Sequence, residues 1–298
     1  MIDRKLRDLL GTKLMLAVTL FTSILFFLIF LTLLFKSSLI LSNYSITDLL
    51  FSSYWNTDKG EFGLYPVIIG TVIVTALSLI IAIPISILTA VYIAEYAPKK
   101  IRQIIRPFID VLAGVPSVVY GLCAFIFLVP LVRDSIGPFF GVTDGTGFCV
   151  FTASLILAVM VFPIIISLCV ESFCALPIEL KEASLSLGAN KWETVKKVTF
   201  KASGPSIASA ILLGFGRAFG ETIAVSMVVG NFSKIPESLF DSGQTLASLI
   251  ATRYGDLMSV PLYESALMFV ALILFIVVLF FNILGFLILR RTKKRWKY

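Results

Sequence analysis

The chain has 298 residues, 58% of them hydrophobic and only 14% charged, with a formal net charge of +7 and no histidine. Ordinary soluble domains carry roughly 25% charged residues, so this composition belongs to lipid rather than water. The missing histidine excludes His-based acid–base chemistry, a Ser-His-Asp triad and His metal ligation.

In chain order, a basic arm (Arg4, Lys5, Arg7, Lys13) precedes a charge-free run over residues 14–35. That run is too long for a signal-peptide core and no small-residue cleavage site follows, so it reads as a retained span. Further charge-free runs cover residues 66–94, 111–132, 148–170 and 265–289. A sixth, 202–232, is interrupted only by Arg217 and Glu221. Each is long enough for a helix to cross about 30 Å of hydrocarbon. The expected fold is therefore an all-α integral membrane protein with six transmembrane helices.

Lysine and arginine alternate between loops. The N-terminal arm, residues 99–106, residues 181–201 and the tail from Arg290 hold most of the 25 basic residues. The intervening loops hold Lys36, Lys59, Arg133, Lys234 and Arg253. By the positive-inside rule both termini face the cytoplasm. The net charge is then a topology signal and a favourable contact with anionic membrane lipid. Dispersed among spans rather than gathered on one face, it argues against nucleic acid.

Cys123, Cys149, Cys169 and Cys174 lie in or beside apolar runs without C-x-x-C spacing, as packing residues rather than a disulfide framework or metal site. No phosphate-cradling G-x-x-x-x-G-K-[ST] loop is present, so ATP hydrolysis, if it drives this protein, belongs to another chain. No cofactor is expected.

Arg217 and Glu221 fall at bilayer depth, where an ionised side chain costs roughly 2.5–3.5 kcal/mol or more. On an unbroken helix the i, i+4 spacing puts both on one face, close enough to pair. The arginine fork can grip two oxygens of an oxyanion. Glu221 could accept a hydrogen bond from a protonated phosphate, which sulfate cannot donate. The plainer alternative is an ion pair that fixes helix packing. Gly216 and Gly220 form the small-residue spacing that lets membrane helices approach. Gly114, Pro116 and Gly121 are candidate kink or packing positions.

Residues 176–201 read as two short amphipathic helices broken at Gly188-Ala189-Asn190, either resting on headgroups or acting as a lever against a partner. Within them Glu182-Ala183-Ser184, three residues and Gly188-Ala189 resemble the EAA loop of ABC importer permeases, with Ser184 for the second alanine and Lys201 where that family has proline. Gly114-Val-Pro-Ser-Val-Val-Tyr-Gly121 and Arg217-Ala-Phe-Gly-Glu221-Thr222-Ile-Ala-Val, ending in Gly230-Asn231, are similar to segments of the phosphate importer permeases, the closing residues favouring the PstC type over the PstA type.

The resemblance implies a type I ABC importer permease fold and a transport permease, not an enzyme. It implies inorganic phosphate as substrate, with Arg217, Glu221 and Thr222 on its path. Glu182, Ala183, Gly188 and Ala189 are implied to couple to the ATPase. The implied partners are a PstA-type permease, two ATP-binding subunits and an extracytoplasmic phosphate-binding protein, in the bacterial inner membrane. Residues 1–65 are expected to form the arm, first helix and outer loop, 66–289 the permease core, and 290–298 a basic tail. Another oxyanion (sulfate or molybdate) is the second reading, and a passive anion channel the third.

Overall fold

The structure is a computed structural model that describes residues 4–56, 60–257 and 259–295. The side chains of Arg4, Lys5, Arg7 and Lys59, and of the tail from Arg291 onward, lie outside the described residues.

Helix α1 (Arg4–Lys36) is followed by the short α2 (Ser38–Asn43) and α3 (Ile46–Phe51) and a two-stranded antiparallel ribbon, β1 (Trp55–Asn56) and β2 (Glu61–Phe62). Helix α4 (Tyr65–Val91) opens on Pro66, whose missing N–H costs nothing in a first turn, and widens into a π-helical turn, Tyr92–Tyr96. Amphipathic α5 (Lys99–Gly114) and α6 (Ser117–Phe139), which contains two π-helical stretches, come next, then α7 (Val150–Cys174). Helices α8 (Ile178–Ser186) and α9 (Lys191–Ala202) form the predicted pair. They lead into α10 (Gly204–Gly220), α11 (Ile223–Ser226), α12 (Leu246–Leu257) and α13 (Pro261–Arg295).

Among the described residues five helices are long and apolar enough to cross a membrane, and α9 with α10, bent by 72°, makes a sixth if the pair is one span. Two expected boundaries shift. The third span runs over Ser117–Phe139, not 111–132, because residues 111–114 finish α5 and the extended Val115-Pro116 step separates the helices. A residue before proline is driven out of the helical region, which fixes that break. The span also continues past Arg133, which pairs with the neighbouring Asp134 at 2.7 Å. The run at 202–232 is not one helix: Glu221 is extended (φ −70°, ψ 126°), and only a single helical turn follows.

The main core lies among α4, α7 and α10, with Ile93, Leu157, Ile165 and Phe173 fully buried. A second cluster joins α2, α3 and the ribbon to α12 and α13 through Ile40, Leu49, Phe62, Leu249 and Phe269. At the end of α1 the Ser265 hydroxyl donates to the Lys36 carbonyl at 2.8 Å, and Lys36 pairs with Glu264 at 2.5 Å. The stretch between α11 and α12 is packed, not a loose connector. Gly230 pairs with Gly243, the Leu246 N–H reaches the Thr71 hydroxyl at 2.9 Å, and Ser242 donates to the Phe148 carbonyl at 2.7 Å.

Candidate functional site

Arg217 occupies the last turn of α10 and Glu221 the residue that ends it. The expected ion pair is absent: among the described residues Arg217 pairs with no carboxylate, and its Nε is buried without a hydrogen-bond partner. The reason is the break. Spacing of i, i+4 aligns side chains only while the helix lasts, and this one stops at Gly220.

Each charge is instead placed against a helix end. The carbonyls at the C-terminus of a helix carry partial negative charge, which favours a guanidinium in the last turn. Glu221 turns the other way and accepts from the Ala224 N–H at the start of α11, 3.3 Å away. Its carboxylate thus satisfies one of the orphan donors of that turn. The Thr222 hydroxyl donates to the Gly220 carbonyl at 3.2 Å across the break. The result is a guanidinium with unclaimed donors beside a carboxylate and a hydroxyl.

Two residues that the sequence reading carried only as members of its motifs, with no role assigned, belong to this neighbourhood. Tyr120, buried on α6, lies within electrostatic reach of Arg217 and donates its phenol to the Leu112 carbonyl at 2.8 Å. Asn231 adopts a left-handed conformation (φ 56°), donates to the Ser226 carbonyl at 2.7 Å, and leaves its Oδ1 buried and unpartnered. Asparagine tolerates that region better than most residues, which was the available signal.

Gly121 brings two of the sequence motifs together. A Cβ added there would meet Met227 Sδ at 2.7 Å and Ala224 Cα at 3.0 Å, so α6 and α11 touch backbone to backbone. Gly121→Val should therefore force the helices apart at about 1–3 kcal/mol, an overpacking cost. The expected outcome is a drop of several degrees in the melting temperature of the detergent-purified chain, measured by tryptophan fluorescence. Gly114 closes α5 and Pro116 precedes α6, so both mark the step between these helices. A Cβ at Gly114, Gly216 or Gly220 would meet nothing within 4 Å among the described residues, whereas Gly214 is pressed on Ile165 and Val161. The G-x-x-x-G face is therefore open, and the internal close approach belongs to Gly214.

The α8–α9 segment has the anticipated turn. Gly188 sits at φ +84°, where a Cβ is penalised, and the Asn190 side chain caps α9 in a reciprocal capping box with Glu193. Glu182, Ala183 and Gly188 are exposed and Ala189 half-buried, with Leu187 89% exposed beside them. Ser184, the departure from the alanine pattern, bonds the Thr194 hydroxyl at 3.0 Å and ties the two helices together.

A family profile described as binding-protein-dependent transport system inner membrane component matches residues 82–298. Relatives include the probable ABC transporter permease protein YqgH of Bacillus subtilis, 38% identical over 73% of this chain and 69% of that one. The probable phosphate transport system permease protein PstC of Methanocaldococcus jannaschii is 34% identical over 83% of this chain and 82% of its own length. The phosphate transport system permease protein PstC of Xylella fastidiosa is 34% identical over 82% and 79%.

Among solved structures, a bacterial ABC transporter involved in import of the acidic polysaccharide alginate aligns with a TM-score of 0.61, covering 97% of this chain and 99% of that one at 17% identity. An inward-facing MetNI methionine ABC transporter aligns at 0.58, covering 75% and 93%, also at 17% identity. At such identities the likeness is one of fold, and the fold is that of ABC importer permeases. The chain belongs to the family of binding-protein-dependent transport system inner membrane components, as a relative of its PstC permeases.

Proposed function

We propose that this chain is the PstC-type permease subunit of an ATP-driven inorganic phosphate importer, forming half of the translocation path. The observation that carries the reading is the Arg217 guanidinium, held at a helix break with no carboxylate partner among the described residues. An unneutralised cation in a low-dielectric span is costly, and a passing dianion supplies the missing countercharge. At the same break Glu221 can accept a hydrogen bond from hydrogen phosphate, and Thr222 offers a hydroxyl. The names of the PstC relatives agree with this substrate.

The partners proposed are a PstA-type permease, two ATP-binding subunits and an extracytoplasmic phosphate-binding protein. A bound periplasmic protein accompanies the alginate transporter in one solved structure of the same fold. The open face at Gly216 and Gly220 suits close approach of the second permease. The exposed Glu182–Ala189 stretch, with uncovered apolar side chains outside the spans, suits the ATPase. In this reading both termini face the cytoplasm, residues 66–289 form the permease core, and 176–201 is its coupling segment. ATP-driven closure of the ATPases shifts that segment and re-orients the helices around Arg217. Bound ATP and the loaded binding protein favour opposite orientations, which supplies the bias that alternating access needs.

The test is uptake of radiolabelled phosphate by proteoliposomes holding the complete complex, with ATP inside and binding protein outside. Accumulation should require ATP and resist a large excess of sulfate or molybdate. Displacement by either anion would assign a different oxyanion. Flux without ATP would make the protein a passive channel.

A further inference from the structure

We infer that Lys181 is a positioning residue that carries the movement of the coupling segment into helix α4, through Glu95. The inference rests on the proposed role of residues 176–201 as the part that meets the ATPase. It names the route by which that part reaches the spans.

Lys181 projects from α8 away from the exposed Glu182–Ala183 edge. Its Nζ lies 2.7 Å from Glu95 Oε1, and it also donates to the Phe173 carbonyl at 3.2 Å. The two side chains are 20% and 10% exposed, so both charges are largely withdrawn from water. Phe173 lies in the last turn of α7, where carbonyls have no helical donor of their own. One ammonium therefore joins the coupling helix to the ends of the two most intimately packed spans.

Three further contacts converge on the same turn. Lys191, at the start of α9, stands over the Tyr96 ring at 4.7 Å. Arg102 of α5 donates its Nε to the Ile93 carbonyl at 2.9 Å and a terminal nitrogen to the Ala94 carbonyl. The Ser184–Thr194 bond ties α8 to α9. The Tyr92–Tyr96 turn is thus gripped by both coupling helices and by α5.

Helix α4 then spans the molecule. Counting its terminal turn it has 32 residues, roughly 48 Å at 1.5 Å per residue. Its far end receives the Leu246 N–H on Thr71, and Gly70 faces the Gln244 backbone. A push on Lys181 is therefore delivered along a continuous helix to the packed stretch between α11 and α12, which also contains Asn231.

The experiment compares Lys181→Met, Glu95→Gln and Lys181→Arg in the reconstituted complex, measuring ATP hydrolysed per phosphate imported and retention of the ATPase subunits. Coupling between sites typically amounts to 5–150-fold, so Lys181→Met and Glu95→Gln should raise the ratio roughly tenfold. The ATPase should remain bound, and Lys181→Arg should stay within about twofold of wild type because the charge and its bond persist. A wild-type ratio in Lys181→Met would overturn the inference. So would loss of the ATPase subunits, or equal uncoupling in Lys181→Arg, each of which marks a purely structural contact. Failure of the underlying reading shows separately: an ATPase that does not crosslink to Ser186→Cys would mean that this segment is not its contact at all.

Discussion

Replacing Arg217 by glutamine should abolish phosphate uptake, by at least about a hundredfold, while leaving the chain as stable as before. Hydrogen bonds to a charged group contribute about 1.5–3 kcal/mol each, and a two-pronged grip on phosphate loses both. A shared loss of about 3–6 kcal/mol corresponds to a hundredfold or more. The stability half of the result separates the substrate role from a packing role. Breaking a buried ion pair leaves an orphaned charge and typically costs 3–5 kcal/mol. Among the described residues Arg217 has no such partner, and its Nε is already unsatisfied, so glutamine leaves no orphaned charge behind. Uptake measured beside the thermal midpoint of the purified complex decides between the two. A large fall in midpoint with proportionate loss of uptake would favour packing.

Gly188→Val should uncouple ATP hydrolysis from uptake with all spans inserted, whereas Gly188→Asn should remain close to wild type. Among the described residues nothing lies within 4 Å of the position a Cβ would take at Gly188, so steric crowding is not the issue. The backbone at φ +84° is. A β-branched residue there is strained by about 1–3 kcal/mol, enough to open the turn between α8 and α9. Asparagine visits left-handed conformations readily and should keep the turn. ATPase and uptake assays on the two variants check this. Equal behaviour of valine and asparagine would mean that the turn's geometry is irrelevant to coupling.

What the sequence revealed was local. Apolar runs located the spans, and Gly188-Ala189-Asn190 marked the turn, because glycine, capping asparagine and Glu193 act within a few residues of one another. The break after Gly220 was hidden because apolar residues continue past it, so hydropathy reads one helix where the backbone makes two. The Arg217–Glu221 pair fell with it. The third span was misplaced for a related reason: counting uncharged residues merged the end of α5 with α6, although Val115-Pro116 was a legible stop. Arg133 ended the count too early, since the helix runs past it to Phe139. The Lys181–Glu95 contact joins residues 86 apart in sequence, and no local pattern announces it. The packing of Gly121 on Ala224 likewise required the fold.

The most direct measurement is the reaction of a cysteine at position 217 with a membrane-impermeant, positively charged thiol reagent. It is made in the assembled complex after replacing the four native cysteines, of which Cys123 and Cys174 are exposed. If Arg217 lines the phosphate path, Arg217→Cys should react, faster when ATP is present, and the attached ammonium should restore part of the uptake. A thiol that stays unmodified with and without ATP would show that water never reaches this position, and that Arg217 does not face the path.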